Sequence, residues 1–183
     1  MMRLSQLSAE VRQYLVVTGN YWAFTLTDGA LRMLVVLHFH QLGYSPLEVA
    51  GLFLFYEIFG VVTNLLGGWL GARFGLNRTM NIGLLLQVGA LLMLTVPSAA
   101  LSVVWVMAAQ ALSGIAKDLN KMSAKSSIKL LLPDDQQGAL YRWVALLTGS
   151  KNALKGLGFF LGGVLLTTLG FRGAVLLMAV LLA

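Results

Sequence analysis

Residues 139–169 read ALYRWVALLTGSKNALKGLGFFLGGVLLTTL. Wound as an α-helix, this run is about 45 Å long, more than the ~30 Å of hydrocarbon in a bilayer. Nothing in it alternates as a strand would. Its centre carries Lys151 and Lys155, one helical turn apart, at a depth of roughly 20–25 Å from the start of the run. A helix of this length and apolarity belongs in a membrane, and two ammonium groups at that depth lie too far in to snorkel to the surface.

The rest of the chain follows the same pattern. Further apolar runs cover about 15–39, 47–70, 80–96, 100–116 and 174–183, so six spans are expected with 139–169 as the fifth. Hydrophobic residues make up 58% of the 183 and charged residues 11%, against about 25% charged in a soluble domain. That composition excludes a cytosolic globular enzyme, a disordered chain and a nucleic-acid-binding module. The net charge of +6 does not form a solvated basic face. It gathers at the ends of the apolar runs. There is no cysteine, and two histidines do not make a metal site. Neither a metal nor another cofactor is expected.

Turn signals separate the runs. Ser45-Pro46-Leu47-Glu48 is a capping box with proline at the first helical position. Phe74-Gly75-Leu76-Asn77-Arg78, Pro97-Ser98, Pro133-Asp134-Asp135 and Leu169-Gly170-Phe171-Arg172-Gly173 mark the other breaks. Arg3, Arg12, Arg73, Arg78, Lys117, Lys121, Lys125, Lys129 and Arg142 all fall on one side, and Arg172 alone on the other. By the positive-inside rule that side, and the N-terminus with it, is cytoplasmic.

Leu66-Gly67-Gly68-Trp69-Leu70 and Leu161-Gly162-Gly163-Val164-Leu165 share one pattern, each followed by a glycine between large apolar residues. Three spans separate them, so the two copies point in opposite directions. The expected fold class is therefore all-α: a polytopic transmembrane bundle of six spans built as a 3+3 inverted repeat, as in many secondary transporters. Its parts would be a cytoplasmic segment 1–14, a first repeat 15–97 and a second repeat 98–183. The apolar run at the C-terminus is still unbroken at Ala183, so a further six-span half is expected as a partner.

A charge inside a span costs about 2.5–3.5 kcal/mol and must face protein or water. Asp28 and Arg32 share a face of span 1 and are expected either to neutralise each other or to act, Asp28 on a proton and Arg32 on an anion. Glu57 in span 2 is read as a proton-coupling acid or as an ion-paired acid between helices. No acid on span 5 neutralises Lys151 and Lys155. They would bind an anionic guest or pair with Asp28 or Glu57 from other spans. Lys121 and Lys117 stand at the cytoplasmic mouth, while Lys125 and Lys129 continue the ladder into the cytosol. Cations therefore outnumber acids in the interior, which suits a small anion of several charges. Asn20, Tyr21 and Gln110 are added as lining candidates.

The loop Gly68-Trp69-Leu70-Gly71-Ala72-Arg73-Phe74-Gly75 resembles the signature G-x-L-a-D-R-x-G-r-[KR] of the major facilitator superfamily. Gly68, Leu70, Arg73 and Gly75 match. Ala72 replaces the acid of the family's gating network, and Arg78 follows later than the family's basic pair. Gln110-Ala111-Leu112-Ser113-Gly114 is similar to R-x-x-q-G with glutamine for arginine. Gly158-Phe159-Phe160-Leu161-Gly162-Gly163 is similar to G-P-x-x-G-G with phenylalanine for proline. The resemblance implies alternating access, with Gly68, Arg73, Gly75 and Arg78 shaping a cytoplasmic gate.

Within that superfamily, residues 19–32 and 114–125 resemble the organoarsenical efflux permeases of the inner membrane. That implies export of 1-arsono-3-phosphoglycerate, arsenate resistance, and a functional link to glyceraldehyde-3-phosphate dehydrogenase. One rival within transport is an importer or exchanger of phosphorylated metabolites. A membrane-embedded hydrolase is disfavoured because no nucleophile elbow accompanies His38 and His40, and a non-transporting membrane subunit because a scaffold has no use for buried lysines.

Overall fold

The computed structural model describes residues 9–97, 100–131 and 137–183. The expected break at Pro133-Asp134-Asp135, together with Ser98 and Arg3, lies outside the described residues. Within them the chain is helical and has no strand: α1 Ala9–Gln41, α2 Pro46–Gly51, α3 Leu54–Phe74, α4 Leu76–Met93, α5 Val103–Leu131 and α6 Gln137–Leu182.

The expected spans map onto these rods with shifted ends. α1 begins before span 1, so residues 9–14 of the expected lead segment are already helical. It closes on Gly43 in the left-handed region, with the Tyr44 N–H bonded to the Phe39 carbonyl and the Gly43 N–H to that of His40. That is a Schellman cap. The capping box forms as read: the Ser45 hydroxyl accepts from the Glu48 N–H, and the Glu48 carboxylate accepts from the Ser45 N–H at 2.8 Å.

Span 2 is divided between α2 and α3, because Leu52 and Phe53 tighten to i→i−3 bonds on Val49 and Ala50. α5 runs well past the expected Ala116 and carries the whole lysine ladder. Spans 5 and 6 merge into α6, which bends at Gly170 (φ 68°, ψ 174°). That backbone region is open essentially to glycine alone. Gly75, at φ 83°, likewise separates α3 from α4.

Two close helix crossings hold the bundle, and glycines make both possible. α1 lies along α6, where Gly29 faces the backbone of Lys155 and Gly158, and Gly162 faces Ala30. α3 lies along α5, where Gly114 abuts the backbone of Tyr56 and Gly67 faces Met122. α5 also packs on α4, where Ser113 donates to Gln87 at 2.7 Å. The Trp22 indole donates to Ser150 at 2.8 Å, pinning α1 to α6 beside Lys151.

Two apolar cores form at opposite ends. One gathers Val17, Tyr21, Met80, Ala124, Ile128 and Leu147. The other gathers Leu34, Phe39, Leu52, Leu91, Val106 and Phe171 with their neighbours. Asp28 and Arg32 of α1, Glu57 of α3, Lys117, Asp118 and Lys121 of α5, and Lys151 and Lys155 of α6 lie between the two. Outside, α3 and α6 expose large apolar side chains such as Leu65 and Phe160. Pro46–Phe74 and Tyr141–Leu182 are long and apolar enough to cross a bilayer. Such a surface suits lipid or a further apolar partner and does not suit water.

Candidate substrate site

Between the two cores α1, α3, α5 and α6 enclose a cavity of about 380 Å³. Each helix presents one face to it. From α1 come Tyr21, Thr25, Asp28 and Arg32, at intervals of three or four residues that keep them on one side. Glu57, Gly60 and Asn64 repeat that spacing on α3. α5 adds Lys117, Asp118 and Lys121, and α6 adds Lys151 and Lys155. Five cations and three acids line the space, an excess of two positive charges.

The acids are all engaged. Glu57 bridges α1 and α5, with Arg32 Nη2 at 2.7 Å and Lys117 Nζ at 3.6 Å. Asp118 receives Lys121 Nζ at 3.1 Å and Lys117 Nζ at 3.7 Å. Asp28, buried at 6% exposure, accepts a 2.7 Å hydrogen bond from the Tyr56 hydroxyl. The Tyr56 ring then lies 4.1 Å from the Arg32 guanidinium carbon and 4.2 Å from Lys117 Nζ. One fully buried phenol therefore touches an acid at its tip and two cations at its face, where the ring quadrupole attracts them.

Lys151 and Lys155 are different. Both line the cavity and neither makes an ion pair with a carboxylate among the described residues. Lys155 has the Phe159 ring 5.6 Å from its Nζ. Arg32 also keeps its Nε–H buried without a partner. Among the described residues the α6 side of the cavity thus holds two ammonium groups without an ion-pair partner, while its carboxylates are all engaged by Arg32, Lys117, Lys121 and Tyr56. Chemically this is a receptor for an anion.

Several expectations are corrected. Arg32 does not pair with Asp28; it turns to Glu57 on α3, and Tyr56 takes its place on Asp28. The i,i+4 pair is displaced because a carboxylate on the facing helix offers shorter geometry and a phenol can reach the buried acid. Lys151 and Lys155 do not pair with Asp28 or Glu57, since both acids are taken. Asn20 does not line the cavity. It lies in a separate crevice with Arg12 and Asn81, because it is one residue round the helix from Tyr21. Gln110 does not line it either: it is fully buried in α5 with neither amide atom partnered. Tyr21 and Lys121 do line it. His38 stacks on Phe171 at 4.1 Å, outside the cavity lining.

Of the gate candidates, Gly68 is exposed with open space where a Cβ would go, and Gly75 forms the α3–α4 break. The Arg73 guanidinium lies 5.1 Å from the Trp69 ring. Arg78 lies in a crevice with Phe74 and Gln13.

Tyr56 and Asp118 were not legible as site residues from spacing alone. Tyr56 adjoins Glu57, and Asp118 sits three residues before Lys121, so an aromatic beside a buried acid and an acid inside a lysine ladder were the available signals.

A bundle of apolar helices around a charged cavity is the architecture expected of a membrane transport protein. The profile of the Major Facilitator Superfamily matches residues 15–183, and the chain belongs to that family. No curated protein and no solved structure matches it.

Proposed function

We propose that this chain is the N-terminal six-span half of a secondary transporter that exports a small organic anion of several charges. The observation that carries the reading is the pair Lys151 and Lys155, facing the cavity with no carboxylate at ion-pair distance among the described residues. Burying an ammonium without a partner is costly, so a guest that supplies the missing charge is bound selectively. Arg32 joins them on the cavity wall, its Nη2 shared with Glu57. Lys121, already held by Asp118, and Tyr21 complete the wall.

The finer reading is 1-arsono-3-phosphoglycerate, which carries phosphate, carboxylate and arsonate groups. An excess of two positive charges in the cavity supports such a multiply charged anion, and residues 19–32 and 114–125 support the organoarsenical efflux permeases. Arsenate resistance and a link to glyceraldehyde-3-phosphate dehydrogenase follow from that substrate. Asp28 and Glu57 are the candidates for proton coupling, each reporting on cavity occupancy through Tyr56 or Arg32. The basic residues gathered on one side support a cytoplasmic N-terminus in an inner-membrane protein, and a C-terminal six-span half would be the partner against which this half rocks.

Residues 15–97 and 98–183 are proposed as inverted repeats. Gly67 of the first L-G-G pattern packs on α5, and Gly162 of the second packs on α1. Exchange of the two units converts a span 2–span 4 contact into a span 5–span 1 contact, which supports reading these glycines as counterparts.

The test is transport of the labelled arsonate ester into everted vesicles carrying the full-length protein. Accumulation that Lys155→Ala abolishes supports export. Uptake confined to intact cells, or an ester that never accumulates, refutes it.

A further inference from the structure

α1 and α4 both pack on α5, sharing the apolar cluster of Val17, Met80, Ala124 and Ile128. Their N-terminal ends do not close on each other. Between them lies a crevice of about 520 Å³ lined by Arg12, Asn20, Asn77 and Asn81, adjoining a second of about 410 Å³ that contains Arg78. The two share Gln13 and Asn77 and make one groove. No carboxylate lines it, and neither arginine makes an ion pair among the described residues. Among the described residues, the guanidinium and amide N–H groups there have no acidic acceptor.

The level of the groove matters as much as its charge. Arg12 lies just before the apolar run of α1, and Arg78 just before that of α4, so both stand at the headgroup depth of the basic, cytoplasmic face. Val16 and Phe74, which line the groove, are themselves exposed apolar side chains. A soluble anion has no use for that apolar lip. A lipid does, because its phosphate can enter the groove while its chains lie on the adjoining surface. Basic pockets between spans on the cytoplasmic side take acidic headgroups by this arrangement.

We propose that this groove binds the phosphodiester of an anionic phospholipid, held by Arg12 and Arg78, at a site separate from the central cavity.

The experiment is native mass spectrometry of the full-length protein in detergent, titrated with phosphatidylglycerol or phosphatidylcholine, each with and without millimolar inorganic phosphate. Preferential retention of phosphatidylglycerol is expected, and phosphate should not displace it. At the usual contribution of a basic residue near an acidic membrane, Arg12→Gln weakens retention about 5-fold and Arg12→Gln with Arg78→Gln about 25-fold. Arg142→Gln, an exposed cation of α6 at the same face, should change nothing. Asn81→Asp, which places a carboxylate in the groove without removing an arginine, gives a second route to the same loss if the double variant does not fold. Equal loss from Arg142→Gln would mean general attraction to a basic face and would overturn the proposal. Displacement by phosphate would make the groove a soluble-anion site and overturn it too. Lys155→Gln should leave lipid retention unchanged, so failure here and failure of the transport reading are separately visible.

Discussion

Replacing Lys155 by glutamine removes one ammonium from the cavity and keeps most of its length. The size of the effect follows from the charge arrangement. A unit charge about 4–5 Å from an anionic guest, at an effective dielectric near 20, is worth about 3–4 kcal/mol. Lys155 is only partly buried, so solvent screening and the cost of stripping water remove about half of that. A loss of about 1.5–2 kcal/mol remains, or roughly a 10–30-fold rise in the concentration of anion that half-saturates transport. Lys151→Gln should behave alike.

Lys121→Gln is the informative comparison. Lys121 is also a cation on the cavity wall, but its Nζ lies 3.1 Å from the Asp118 carboxylate, which cancels much of its field at the guest. About 3-fold or less is expected there, part of it offset because Asp118 keeps Lys117 at 3.7 Å. The assay is concentration-dependent uptake of labelled 1-arsono-3-phosphoglycerate into everted vesicles, with protein amounts matched by immunoblot. If Lys121→Gln costs as much as Lys155→Gln, general basicity governs binding, and the reasoning from unpaired lysines fails.

Three further outcomes follow from the packing. Tyr56→Phe keeps the ring beneath Arg32 and Lys117 but leaves buried Asp28 without its donor. A loss of about 1–3 kcal/mol in stability, seen as a lower midpoint in a thermal melt, is expected. Gly114→Val drives a side chain into the Tyr56 backbone at the α3–α5 crossing. Detergent-solubilised protein should fall sharply or aggregate, whereas Gly68→Ala, where the space is open, should give normal yield. Glu57→Gln removes the ion-pair partner of Arg32 and leaves Lys117 with Asp118 alone, and pairing it with Arg32→Gln should recover part of the lost stability. Since Glu57 is 59% exposed, a double-mutant cycle should return about 0.5–1 kcal/mol of coupling.

Much of this architecture could be read from the chain because hydrocarbon imposes simple rules. Apolar length fixed the runs. Ser45 to Glu48 fixed the start of α2, and Gly75 and Gly170 fixed two of the breaks. Lys151 and Lys155 announced themselves by being charged where charge is expensive. Partner choice within the cavity was not legible. Local spacing put Asp28 beside Arg32, but the facing helix supplied Glu57 to one and Tyr56 to the other, and only the helix crossings at Gly114 and Gly158 bring those groups within reach. Asn20 shows the same limit on a smaller scale. It adjoins Tyr21 in sequence, yet one residue of helical rotation, about 100°, turns it from the cavity to the crevice with Arg12.

The central claim, that the α6 lysines are the receptors for the anion, can be measured at the amines themselves. Everted vesicles are treated with a membrane-permeant amine reagent, with and without saturating 1-arsono-3-phosphoglycerate, and labelling at each lysine is read by peptide mass spectrometry. Protection of Lys151 and Lys155, with Lys125 and Lys129 labelled equally in both conditions, is the predicted result. Undiminished labelling of Lys151 and Lys155 while the ester is being transported would contradict it.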